Sequence, residues 1–106
     1  MRVVFCTTPT ERADDIASSL VTARLAACVN IVPTIQSVYR WKGAIEKDEE
    51  SLLVIKTTAA RLTEVIEHVV RVHPYEVPEV IALPIDDGLP AYLSWLRDQV
   101  TGDVEE

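Results

Sequence analysis

At 106 residues with a formal net charge of −7, the chain has the length of one domain with a modest core, read as spanning residues 1–106. The acidic balance excludes a nucleic-acid phosphate backbone or an anionic membrane as partner and leaves cationic ligands, metal ions among them, as the electrostatically permitted class. Two cysteines are too few for a disulfide framework or zinc finger, no apolar run approaches the ~20 residues of a membrane span, and no secretory leader pattern opens the chain, so cytoplasmic residence is the expectation.

Arg2 to Cys6, with Val3-Val4-Phe5 at its centre, reads as a strand buried on both faces. Thr8-Pro9-Thr10-Glu11 then fits a capping box, with Thr8 at the N-cap, Pro9 at the first helical position and Glu11 reaching back. Ala13, Ile16, Ala17, Leu20 and Val21 follow helical spacing to about Leu25.

Cys28 to Thr58 reads as a single long β-hairpin. Val29, Ile31, Ile35, Tyr39 and Trp41 fall at odd positions between mostly polar neighbours, which is strand periodicity. The turn lies at Trp41-Lys42-Gly43, and the return arm runs from an acidic stretch at Glu46 to Glu50 into Leu52-Leu53-Val54-Ile55. Arms of roughly 14 residues extend about 46 Å at ~3.3 Å per residue, whereas a domain of this size has a radius of gyration near ~13 Å. Its own chain cannot cover the distal half, which is therefore expected to pair with a neighbouring subunit. The alternative is that Pro33 and the acidic run break the arms and leave a short hairpin with a solvated loop.

A second helix carries Leu62, Val65, Ile66, Val69 and Val72 on one stripe, with His68 on the polar side and Pro74 as its stop. A loop, His73-Pro74-Tyr75-Glu76-Val77-Pro78-Glu79, leads to a strand over Val80–Ile85, with Pro84 at an end or edge. Asp86-Asp87-Gly88 turns the chain into a short helix opened by Pro90, and residues from about 100 to 106 read as a frayed tail. The order βαββαβ plus a terminal helix predicts an α+β, ferredoxin-like antiparallel sheet of strand order 4-1-3-2, with both long helices on one face. The other face is left apolar, which again points to an oligomer.

This topology brings Cys6 and His73 to one rim and places Cys28 at the opposite end, so no Cys6–Cys28 bridge is expected. A sulfur and an imidazole on one rim suit copper or zinc, although a cysteine in an apolar strand is also an ordinary small hydrophobe. Tyr39 and Trp41 near the hairpin tip serve either as interface anchors or, with Tyr75, Glu76 and Glu79, as the lining of a cleft between subunits, with Lys56 or Arg40 supplying charge.

Cys6-Thr7-Thr8-Pro9, Leu25-Ala26-Ala27-Cys28-Val29-Asn30-Ile31, Tyr39-x-Trp41-x-Gly43, Leu53-x-Ile55-Lys56-Thr57, His73-Pro74-Tyr75-Glu76-Val77-Pro78-Glu79 and Tyr92-Leu93-x-Trp95-Leu96 together resemble the CutA divalent-ion tolerance proteins. The resemblance implies a cytoplasmic homotrimer of ferredoxin-like subunits, built like the PII-like signalling trimers and involved in tolerance to copper and other divalent cations. It also implies copper ligands at Cys6 and His73, with Val72 standing where the family has a further histidine. Catalysis is not expected, because Cys6 has no activating partner beyond His73 and no acidic pair has a defined geometry. An acylphosphatase of this fold needs a basic loop after its first strand, a metallochaperone needs closely spaced cysteines, and an RNA module needs a basic aromatic sheet; none is present. Two readings remain: a metal-responsive trimer binding cations at the subunit rim, or a signalling scaffold binding a small molecule or protein at its inter-subunit clefts.

Overall fold

The computed structural model describes residues 1–101. Seven elements follow in chain order: β1 (Arg2–Thr8), α1 (Thr10–Thr22), β2 (Cys28–Trp41), β3 (Ala44–Thr57), α2 (Leu62–Val72), β4 (Val80–Pro84) and α3 (Pro90–Gln99), with a single 3₁₀ turn at Ala59–Arg61 leading into α2. The sheet order is β2-β3-β1-β4, the expected order counted from the other edge, and every neighbouring pair is antiparallel. Alternation sets its two faces. Val4, Cys6, Leu53 and Ile55 point into a core closed by Ile16 and Leu20 of α1 and by Val65 and Val69 of α2. Val3, Phe5, Ile81 and Leu83 lie in cross-strand pairs on the opposite face.

Several local expectations give way to the sheet. Thr8 is not a helix cap: it forms the last rung of β1 opposite Ser51, fully buried, so Pro9 takes the N-cap position with φ −54° and ψ 140° and makes no side-chain cap. α1 ends at Thr22 rather than Leu25, because Arg24 enters the left-handed region at φ 60° and the amides of Leu25 and Ala26 turn back onto the Leu20 carbonyl. Val100 is not frayed. It packs with Ala27 and Leu96 in a second small core, and Arg61 holds its carbonyl at 2.9 Å. The rest of the anticipated tail, 102–106, lies outside the described residues.

The hairpin keeps its full length, with arms of 14 residues each. Lys42 at φ 49° and Gly43 at φ 81° close it with two successive left-handed residues, the geometry whose twist matches that of the strands. The subunit measures 48 × 27 × 22 Å with a radius of gyration of 14.6 Å, above the ~13 Å of a compact chain of this length. Neither Pro33 nor the acidic run breaks the arms.

Candidate ligand cleft at the root of the hairpin

Pro33 bends the register. Val32 pairs with Leu52, but the next paired residue, Ile35, faces Glu50, so Pro33 and Thr34 together oppose Ser51 in a β-bulge. A proline costs the ladder nothing there. Its carbonyl accepts hydrogen bonds from Ser51 Oγ at 2.6 Å and Thr10 Oγ1 at 3.5 Å, which fix the bulge to the start of α1. The extra residue switches the faces of β2. Val29 and Ile31 pair with the core residues Ile55 and Leu53, whereas Ser37 and Tyr39 pair with Asp48 and Glu46 on the face away from the helices. The regular odd-position pattern of the sequence is thus divided between two faces. Alternation puts Glu46, Asp48 and Glu50 on that same outer face.

The loop after α2 folds over this face. His73 leaves the helix in an extended conformation, as a residue before proline prefers. Its Nε2 donates to the Thr7 carbonyl at 2.8 Å, and its Nδ1 accepts the Tyr75 amide at 3.0 Å. The Tyr75 ring lies 4.8 Å from the imidazole, and its hydroxyl donates to Glu50 Oε2 at 2.9 Å. Ser37 Oγ donates to Glu50 Oε1 at 2.6 Å, and the Tyr39 hydroxyl donates to Asp48. Both phenols are pushed up to about 12, Tyr39 chiefly by its hydrogen bond to Asp48 and Tyr75 first by burial and then by its bond to Glu50. They remain donors at neutral pH. Between hairpin and loop opens a cleft of about 640 Å³, within the ~300–1,000 Å³ of small-molecule sites.

Of the residues expected in such a cleft, Tyr39, Trp41, Tyr75, Glu76 and Glu79 line it together. Lys56 does not. It lies at the other end of the sheet opposite Val3 and Cys28, bonded to Asn30, because four rungs separate it from the Thr7–Leu52 pair at the cleft. Arg40, opposite Ile45, falls on the alternate face and is also absent. Sequence reasoning missed Glu50, Ser37 and Thr7. Alternation within the run Glu46 to Glu50 was the available signal, but only the bulge determines which β2 residues it meets.

Cys6 and His73 lie near one another in the chain fold without offering a metal site. The Cys6 side chain is wholly buried among core residues, and its thiol is pushed up to about 12 by burial, then by Glu79 and Glu50. A metal needs the thiolate. On His73, the Thr7 carbonyl requires a proton on Nε2 and the Tyr75 amide occupies the lone pair of Nδ1, so no ring nitrogen is free. As folded, the pair does not fit copper. Among the described residues, no set of three or more His, Cys, Asp or Glu side chains could hold a metal ion. Cys28 is half-buried at the far end of the sheet, and both cysteines are free. His68 is not simply solvated: its Nε2 lies 2.8 Å from Ser19 Oγ, tying α2 to α1, and burial, then Arg71, lowers its pKa.

Residues 2–99 match the family model of the CutA1 divalent ion tolerance protein. The "Divalent-cation tolerance protein CutA" of Thermus thermophilus is 52% identical over 97 residues, covering 91% of this chain and 94% of that protein. A CutA homolog of Xenopus laevis is 54% identical over 88 residues and mouse protein CutA 52% over 101, covering 83% and 94% of this chain; the chain spans only 58% and 56% of their lengths. Among solved structures, the Thermus thermophilus protein superposes with a TM-score of 0.90 at 50% identity, covering 93% of this chain and 98% of that one. CutA1 of Oryza sativa does so at 0.91 and 49%, covering 92% and 91%. One similar structure, from Archaeoglobus fulgidus, is called periplasmic, and an Arabidopsis thaliana relative is called chloroplastic, so the relatives do not share one compartment. By sequence along nearly its whole length and by fold, this chain belongs to the CutA1 divalent ion tolerance family.

Proposed function

We propose that three copies of this chain form a homotrimer, built like the PII-like signalling trimers, which binds a ligand in the cleft at each hairpin root and supports tolerance to divalent cations through binding rather than catalysis. The observation that carries this reading is the unpartnered apolar surface. Trp41 and Ile45 at the hairpin tip are 59% and 58% exposed, and Ile81 and Leu83 on the uncovered sheet face are 53% and 46% exposed. A lone subunit keeps all of it in water, at a cost of ~25 cal/mol per Å² of apolar surface left unburied. The threefold count follows the family resemblance. Free thiols at Cys6 and Cys28 favour the cytoplasm.

Light scattering on Ile81→Asp/Leu83→Asp tests the assembly. The double variant is expected to fall to monomers, and an unchanged particle mass removes the sheet face from the interface. Copper ligation through Cys6 and His73 requires the imidazole to leave both partners and the thiol to ionise. Calorimetric titration with copper separates the possibilities, since isotherms that are the same for wild type, Cys6→Ser and His73→Ala exclude both residues as ligands.

A further inference from the structure

The hairpin-root cleft combines features that a bare metal ion does not use. Three aromatic side chains, Tyr39, Trp41 and Tyr75, share its lining with three carboxylates, Glu50, Glu76 and Glu79, and among the described residues of one subunit no lysine, arginine or histidine joins them. Glu50 is only 6% exposed. Its oxygens accept one hydroxyl each, from Ser37 and Tyr75, yet no cation neutralises it; among the described residues the one salt bridge is Arg61–Glu64. A carboxylate so far from water is held at a desolvation cost that an incoming positive charge offsets.

We propose that this cleft binds a small organic cation, an aliphatic ammonium or guanidinium compound whose N–H groups donate to Glu50 and whose carbon frame lies against Tyr39, Trp41 and Tyr75. The proposal rests on the reading of the cleft as the ligand site and names the class of ligand. A hard divalent ion takes six to eight oxygens at ~2.0–2.6 Å and gains nothing from aromatic walls. An organic cation gains a charge-assisted hydrogen bond from the buried carboxylate and attraction to the ring faces. The Lys42 ammonium already stands 5.9 Å from the Trp41 ring centroid, so that ring accepts a cation within this fold. A volume of about 640 Å³ accommodates a chain of several heavy atoms and far exceeds one ion. Anions and nucleotides are disfavoured by the same three carboxylates, and Lys56, which could have offset them, is at the opposite end of the sheet.

Calorimetric titration of the full chain with agmatine, alongside 1,4-butanediol, magnesium, copper and ATP, tests the proposal, with a thermal melt as second readout. Agmatine is expected to bind saturably and to raise the melting temperature, while butanediol and ATP do neither. Glu50→Gln, which removes the charge but keeps the shape, is expected to weaken agmatine at least tenfold, and Trp41→Ala severalfold. Light scattering on each variant checks that the wild-type particle mass is kept, since the Trp41 ring also belongs to the surface that assembly covers. Glu64→Gln, in the distant Arg61 pair, is expected to leave it unchanged. Agmatine binding that survives both cleft variants, or that butanediol matches, overturns the proposal. Silent agmatine with divalent-metal binding lost in Glu50→Gln overturns the organic ligand but keeps the cleft as the functional site. Silence of every probe on an intact trimer overturns both.

Discussion

Alkylation of the two cysteines measures how completely the sheet withdraws Cys6 from chemistry. The Cys6 thiol is raised from 9.0 to about 12, so at pH 8 its thiolate population is roughly a thousandfold smaller than that of an ordinary thiol. Burial against Leu53 and the helices adds a steric barrier. Native protein treated with iodoacetamide at pH 8 and mapped by mass spectrometry is expected to carry the label on half-buried Cys28, with Cys6 modified only after unfolding in urea. The same shift has a stability sign. Because the folded pKa lies above the unfolded one, the thiol's contribution is intact below pH 9 and lost as pH rises from 9 toward 12, by on the order of 1 kcal/mol between pH 8 and pH 10. Urea midpoints of wild type and Cys6→Ala at the two pH values isolate that difference from the tyrosines, which titrate in both proteins. Equal native labelling of the two cysteines, or an identical pH dependence in the two proteins, refutes the burial of Cys6 and reopens it as a thiolate ligand.

Tyr75→Phe takes one donor from Glu50 at a half-exposed site and is expected to cost roughly 1.5 kcal/mol in urea unfolding. Leu53→Ala, at the fully buried centre of β3, is expected to cost about 2–5 kcal/mol by the same measurement. Deleting Thr34 leaves Pro33 alone opposite Ser51 and removes the bulge, while Ile35 keeps Glu50 and every β2 residue beyond it keeps its β3 partner and its face. Circular dichroism should then keep its helical signal and cleft binding and assembly should survive, whereas loss of both in a folded variant would show that the bulge itself, and not only the pairing, shapes the cleft.

The elements and the sheet order were legible because each strand and helix carries its own period and the connections admit few topologies. The long hairpin was legible too, since Lys42 and Gly43 mark one turn between two unbroken arms. What the sequence could not disclose came from pairings between distant residues. Thr8 looks like a cap until Ser51 is placed beside it as a strand partner. Tyr39 and Trp41 continue the period of Val29 and Ile31, and only the opposition of Pro33 and Thr34 to Ser51 shows that they face away from the core. Glu50 reads as one charge in a solvated run, yet Ser37 and Tyr75 close over it from two other segments. Residue type alone groups Lys56 with the aromatics, whereas the register carries it to the far end of the sheet opposite Val3.

Sedimentation equilibrium of the wild-type chain at micromolar and lower concentrations tests most directly whether the projecting hairpin and bare sheet face need other copies. A single species of three times the 11.8 kDa chain mass that persists on dilution is the expected result. A folded, monodisperse species of 11.8 kDa contradicts it.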